Sequence, residues 1–455
     1  MFTQETEANS YEEFRIELLA LANAGAGYKL KAYASVGEAI EFDYKLPLTQ
    51  AESDRVFAFV ARANSQLFRS APNANADEIR VIGERLFNSI CDSRVASLYN
   101  QSLALAKESG KSLRVRLVFD RTEVASLPWE FLYDPWRRDF VALSTLSPIV
   151  RQWQNLANLL EPGTLAPPLR VFVAEAEVSS LDYGAEQEFQ LLEQLRQSKA
   201  DQLVFAGQMR RATRAVFSAP PPQPCHLLHL IMSGDSHNIA ATSGAADSLF
   251  VKPVYGATLD YEEVKAEQLR QYCANIHGLQ LVVLNGDCTE VLAAQLAPVC
   301  RATIGWRGRN TLEAYLSFTR GLYTALLNGV GLEMAVTEGR RAIDLEYPGG
   351  KEWGMPVLYL QMAKGFALNT GKIASSRGTT SREYNFAVQL DNPKHEREWR
   401  MLSARLSLEE QNKAAVEAQA KKFEVSSIPD YISDQLAEIN STIKSLKSQL
   451  NQFKK

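Results

Sequence analysis

From Leu169 onward, short apolar runs alternate with stretches whose apolar residues return every three or four positions. That alternation predicts strands followed by helices. The strands fall at 169–174, 202–206, 226–232, 279–284, 300–305 and 355–360, and the helices at 185–198, 261–274, 289–296 and 311–328. Strands separated by helices imply a parallel sheet covered on both faces. Upstream, residues 12–62 mix helical and strand-like patterning, and Tyr28–Tyr33 and Glu41–Leu46 show the period of two expected of strands with one wet face. Residues 77–107 read as one helix, with Ile79, Ile82, Leu86, Ile90 and Val95 on its apolar stripe, and Leu113–Phe119 reads as another strand. Beyond Lys364 the pattern changes: 369–383 is rich in Ser, Thr and Gly, 393–423 reads as a charged helix, and Ser427–Asp430 breaks it. Ile432, Leu436, Ile439, Ile443, Leu446, Leu450 and Phe453 then form a heptad seam. No internal repeat interrupts this order.

A chain of 455 residues with 46% hydrophobic and 22% charged positions can bury a large core. Its net charge of −4 leaves no electrostatic footprint for nucleic acid. Five cysteines, an odd number without metal-ligand spacing, fit a reducing cytosol better than a disulfide framework. The polar, acidic start is not a signal peptide, and no apolar stretch is long enough to span a bilayer. A soluble cytoplasmic protein is therefore expected. Gly365–Ile373 looks like a phosphate loop, but it has one residue too many and lacks the Ser/Thr that holds magnesium, so no cofactor or metal is expected.

Two of the apolar runs stop abruptly. Leu228-His229-Leu230-Ile231-Met232 gives way to Ser233-Gly234, and Leu281-Val282-Val283-Leu284 gives way to Asn285-Gly286-Asp287-Cys288-Thr289. In open α/β sheets chemistry gathers at the carboxyl ends of strands. A thiol after the second run and histidines in and just after the first suggest a cysteine nucleophile with a histidine base.

The block Leu127-Pro128-Trp129-Glu130-Phe131-Leu132-Tyr133-Asp134-Pro135 is more specific than these patterns. Phe140–Ser144 and Pro148–Arg151 follow it, and the LRVRL strand precedes it. With the LLHL and LVVLNG strands, Ile304-Gly305-Trp306, Tyr315–Gly329, Ala335-Val336, Arg340–Ala342 and Gly354–Val357, it resembles the CHAT domain family, a prokaryotic branch of the caspase–separase clan of cysteine peptidases. The likeness runs in order from about residue 13 to 362. It implies an α/β fold, a caspase-like α/β/α sandwich with a mostly parallel central sheet, here with a helical C-terminal tail. The resulting division is 1–112 as an N-terminal α+β portion, 113–365 as the caspase-like core, 366–392 as linker and 393–455 as helical tail with the heptad segment 432–453.

The resemblance also implies a catalytic His closing one strand and a Cys closing the next. Family members read roughly His-Phe-x-Gly-His-Gly at the first site, so placing His229 on the first histidine puts Ser233 on the catalytic one. They read Leu-Asn-Ala/Gly-Cys-x-Ser/Thr at the second, which puts Asp287 on the nucleophile and Cys288 one residue late. Serine cannot act as the base, and a carboxylate is a poor nucleophile towards amides. One reading is therefore a pseudo-protease acting as a scaffold or regulatory subunit in a prokaryotic signalling or defence assembly. Its protein partners, or further copies of itself, would engage the C-terminal helix. The alternative is an active endopeptidase using a shifted pair, Cys288 with His237, or with His229. For His229 the plain expectation is a strand histidine, for His237 a surface loop residue, and for Cys288 a small thiol. Trp129 and Glu130 are expected at a strand-to-helix junction with Trp129 in the core, and the tail helix either projects or folds back on the body.

Overall fold

A computed structural model describes residues 11–21, 27–63, 76–154, 164–176, 184–221, 223–232, 248–251, 262–363 and 365–369, with isolated positions between 440 and 448. The chain divides into two compact units, Met1–Asp344 with Gly349–Arg377, and Leu345–Pro348 with Gly378–Lys455. Ser233, His237, the charged helix and nearly all of the heptad segment lie outside the described residues.

The strands are β1 (Tyr11–Ala20), β2 (Tyr28–Ala34), β3 (Ile40–Tyr44), β4 (Ser112–Phe119), β5 (Tyr133–Asp134), β6 (Asp139–Phe140), β7 (Ile149–Trp153), β8 (Thr164–Leu165) and β9 (Leu169–Ala176). They continue with β10 (Leu203–Met209), β11 (Leu227–Met232), β12 (Ser248–Val251), β13 (Glu262–Lys265), β14 (Leu281–Asn285), β15 (Ala302–Trp306), β16 (Pro356–Leu360) and β17 (Ala367–Leu368). Eleven of them form one sheet in the order β10-β9-β11-β14-β15-β16-β7-β4-β1-β2-β3. Seven of its ten neighbouring pairs are parallel. Because β15 and β16 are antiparallel, the strands from β10 to β15 run one way and β16, β7, β4 and β1 the other. The carboxyl ends of β9, β11, β14 and β15 therefore gather at one end of the sheet.

Apolar side chains alternate between two cores, as the period of a strand requires. Leu227, Ile231, Leu281 and Val283 enter one core with Phe189 and Leu192 of the helix Gly184–Ser198 and Phe318 and Leu322 of the helix Leu312–Leu327. Leu228, Leu230, Met232, Val282 and Leu284 enter the other with Leu269 of the helix Ala266–Ala274 and Leu292 of the helix Glu290–Leu296. The fold is thus α/β, with helices on both faces of a large, mostly parallel sheet. Among the described residues, no helix is long and apolar enough to cross a membrane.

Several elements differ from the sequence pattern. The expected helix 77–107 is two helices, Ala76–Ile90 and Ser93–Glu108, because the Asp92 carboxylate accepts the Arg94 and Val95 amides at 3.0 and 2.9 Å and restarts the chain as an N-cap. The expected helix 261–274 begins only at Ala266, since Glu262–Lys265 pair with β12. Residues 367–368 of the expected linker form β17, parallel to β8. At the LPWE block, Trp129 is fully buried, stacks on Phe119 and donates its indole N–H to the Val124 carbonyl at 2.9 Å.

Both halves of the sheet bury charge. Glu130 forms a two-pronged ion pair with Arg151, both side chains buried, with Arg340 at 4.0 Å. Burial works to raise the Glu130 carboxyl, but Arg151 outweighs it and holds the group below the usual range. Arg114 and Arg116 meet Glu13, and Arg114 also meets Glu333 at 2.7 Å. In the other half, Glu188 is buried, as is Glu175 on β9.

Candidate functional site at the strand ends

His229 points from β11 into the core beneath the helices Gly184–Ser198 and Leu312–Leu327, and it is fully buried. Its Nε2 lies 3.1 Å from Glu188 Oε1 and its Nδ1 3.0 Å from Tyr323 OH. The tautomer with the proton on Nε2 satisfies both contacts, the ring donating to Glu188 and accepting from Tyr323. The same Glu188 oxygen accepts Asn285 Nδ2 at 2.5 Å and Thr319 Oγ1 at 2.7 Å. Glu188 is buried, and such a carboxylate persists in a core only with this many donors. The network ties the ends of β11 and β14 to both helices. Both ring nitrogens of His229 are thus engaged within this network.

The end of β14 is built differently. Gly286 allows close passage of the neighbouring strand, since a Cβ there would lie 2.6 Å from Met232 Cβ and 2.9 Å from its carbonyl oxygen. Thr289 closes the turn by donating its hydroxyl to the Leu284 and Gly286 carbonyls and accepting the Trp306 amide at 2.9 Å. Between them, Asp287 Oδ1 accepts Tyr315 OH at 2.5 Å and the Asn310 amide at 2.8 Å. The carboxylate thereby anchors the loop after β15 and the first turn of the helix Leu312–Leu327.

Cys288 adopts φ +55°, a left-handed conformation rare for a side-chain-bearing residue, and its amide donates to the Gly308 carbonyl at 3.0 Å. It is the one cysteine of the five that is not buried. Burial of the sulfur and then the charge of Asp287 push its thiol up to about 12, outweighing Arg309. A nucleophilic cysteine needs the opposite, a cationic or hydrogen-bonding setting that favours the thiolate.

The structure thus brings His229 together with Glu188, Asn285, Thr319 and Tyr323, and Asp287 and Cys288 together with the 308–315 segment. Sequence reasoning missed Glu188 and Tyr315. Glu188 sits on an amphipathic helix, where an acid ordinarily reads as solvent-facing; the only available signal was its place between Ala185 and Phe189, Leu192 on the buried stripe. Among the described residues, no group of three or more His, Cys, Asp or Glu side chains could hold a metal ion.

No family model and no curated protein matches the chain. Among solved structures it is similar to the Saccharomyces cerevisiae separase–securin complex, with 10% identity, a TM-score of 0.44 and coverage of 79% of this chain. This chain spans only 30% of that one. It is also similar to the Arg-specific cysteine proteinase gingipain R, with 9% identity, a TM-score of 0.37 and coverage of 64% of this chain and 75% of that chain. The complex of Porphyromonas gingivalis RgpB pro- and mature domains matches at 10% identity and TM-score 0.37, over 69% of this chain and 77% of that one.

Proposed function

We propose that this chain is a CHAT-like pseudo-protease, a caspase-like body that has lost its cysteine–histidine dyad. It works by binding other proteins as a cytoplasmic scaffold or regulatory subunit in a prokaryotic signalling or defence assembly. Asp287 carries this reading. Under the sequence resemblance the nucleophile falls there, and the side chain present is a carboxylate held by Tyr315 and Asn310. An amide carbonyl would meet a weak nucleophile, one oxygen of which is already engaged. The adjacent Cys288 thiol favours its protonated form, and Ser233 stands where the base is expected. The heptad segment 432–453 adds a helix with an apolar seam, suited to a second copy or to a helical partner.

The test is direct. Purified full-length protein incubated with a peptide library should yield no cleavage. Cleavage that disappears on Cys288→Ala would favour the alternative, an active endopeptidase using Cys288 with His237, which draws on the partial exposure of Cys288. Removal of 427–455 should lower the mass by light scattering if the seam joins copies. An unchanged mass leaves it to a different partner.

A further inference from the structure

The β5–β6 hairpin presents a feature that the strand-end chemistry does not use. Trp136 at its tip is 57% exposed, the most exposed large hydrophobic side chain among the described residues, and Arg137 and Arg138 beside it are exposed. The tip is held rigidly. Buried Asp134 accepts the Trp136 and Arg137 amides at 2.9 and 3.1 Å, and Arg138 takes φ +56° to close the turn. Trp136 rests edge-on against Phe87, which packs in turn on Tyr99. Tyr99 lies on the helix Ser93–Glu108, whose Leu103, Ala104, Ala106 and Lys107 line an open basin of 240 Å³ with Lys111, Arg137 and Leu146. Leu146 is 46% exposed there. The lining holds three cations and no acid. Of the nearby acids, Glu12 is taken up by Lys111 at 2.9 Å, Asp134 is buried under the hairpin tip, Asp139 sits within the hairpin and Glu108 follows Lys107.

We infer that this hairpin and basin form a docking surface for an acidic segment of a partner protein, one apolar side chain seated in the basin and its carboxylates on Lys107 and Arg137. Trp and Arg on a preorganised backbone are the residue types that dominate binding energy, because little conformational entropy is lost when they are covered. A cationic rim around an apolar floor selects against basic or wholly apolar segments. The inference goes beyond the reading above and holds whether or not the strand ends cleave peptides.

The test uses full-length protein and fluorescein-labelled synthetic peptides of about twelve residues, scored by anisotropy. One peptide carries Glu and Asp around a central Leu-Leu pair, one replaces the acids by Lys, and one replaces both leucines by Ser. Only the first should bind. Trp136→Ala and Arg137→Glu should each weaken it by about tenfold or more, and raising salt from about 0.05 to about 0.5 M should weaken it severalfold. Val299→Ala, an exposed apolar change on another face, should leave it unaltered. Circular dichroism confirms that each variant is folded. Absence of binding by the acidic peptide, equal binding of the Lys peptide, or indifference to Arg137→Glu in a folded variant overturns the proposal. So does a fall in oligomer mass on Trp136→Ala, which would make the occupant a second copy. Capture by phosphatidylserine vesicles without binding of the acidic peptide would assign the surface to lipid and overturn it as well.

Discussion

The two halves of the sheet bury acids on different terms. Under β7 and β16, Glu130 meets a guanidinium in a two-pronged pair, and the partners compensate one another's charge. Under β11 and β14, Glu188 meets no guanidinium or ammonium group among the described residues, and it relies on the donors Asn285, Thr319 and His229. The first arrangement resembles a rivet, in which the partners neutralise one another while Arg151 also donates to the Ala125 and Leu127 carbonyls. The second is a brace that fixes two strand ends in space. Asp287 and a thiol held in its protonated form follow directly after that brace.

Arg151→Met should produce the largest loss, about 3–5 kcal/mol by urea unfolding, because it leaves Glu130 buried without its hydrogen-bonded guanidinium, with only the charges of Arg307 and Arg340 nearby. Replacing Glu130 and Arg151 together by Met should recover most of that loss, since hydrophobic substitutes of similar size remove both desolvated charges. If the double variant is as unstable as the single, the pair does more than compensate itself. Glu188→Gln should cost about 1–3 kcal/mol, because a neutral amide oxygen accepts the three donors that converge on Oε1 less strongly than a carboxylate oxygen does. A silent Glu188→Gln would abolish the distinction between rivet and brace. Asp287→Ala should cost about 1 kcal/mol, by freeing Tyr315 and the Asn310 amide at a half-exposed site. Cys288→Ser should change stability by no more than about 0.5 kcal/mol at neutral pH. Its signature lies at high pH. The thiol ionises near 9.0 when unperturbed and at about 12 in the folded chain. Between those values the folded state holds a proton that the unfolded state has released, so stability falls as pH rises. Urea midpoints measured at about pH 8 and about pH 10.5 should show a shallower fall in Cys288→Ser than in the parent.

Strands were legible where the apolar run was short and bounded: Leu227–Met232, Leu281–Asn285 and Ala302–Trp306 lie within a residue or two of their expected limits. Tyr11–Ala20 was not, because its Glu, Leu and Ala content suits a helix as well, and its strand state is imposed by pairing with β2 and β4. The break at Asp92 was written in the chain as an Asp-Ser pair, but a continuous apolar stripe masked it. At the site, the placement of Asp287 and Cys288 at a strand end could be read from the run that precedes them. The contacts that decide their chemistry could not. Asn310 and Tyr315 reach Asp287 from beyond β15, and Glu188 reaches His229 from a helix that precedes β10; periodicity carries no information about such partners.

The central claim is that the end of β14 holds no activated nucleophile. Its most direct test is the rate of iodoacetamide alkylation at Cys288 in the native protein, followed by peptide mapping from about pH 6 to about pH 10. A thiol at about 12 should react about a hundredfold more slowly than free cysteine at neutral pH, the scarcity of thiolate being partly offset by its greater intrinsic nucleophilicity. The rate should climb through the whole range without levelling. A rate at or above that of free cysteine, levelling below about pH 7, would show a thiolate poised for catalysis and contradict the account.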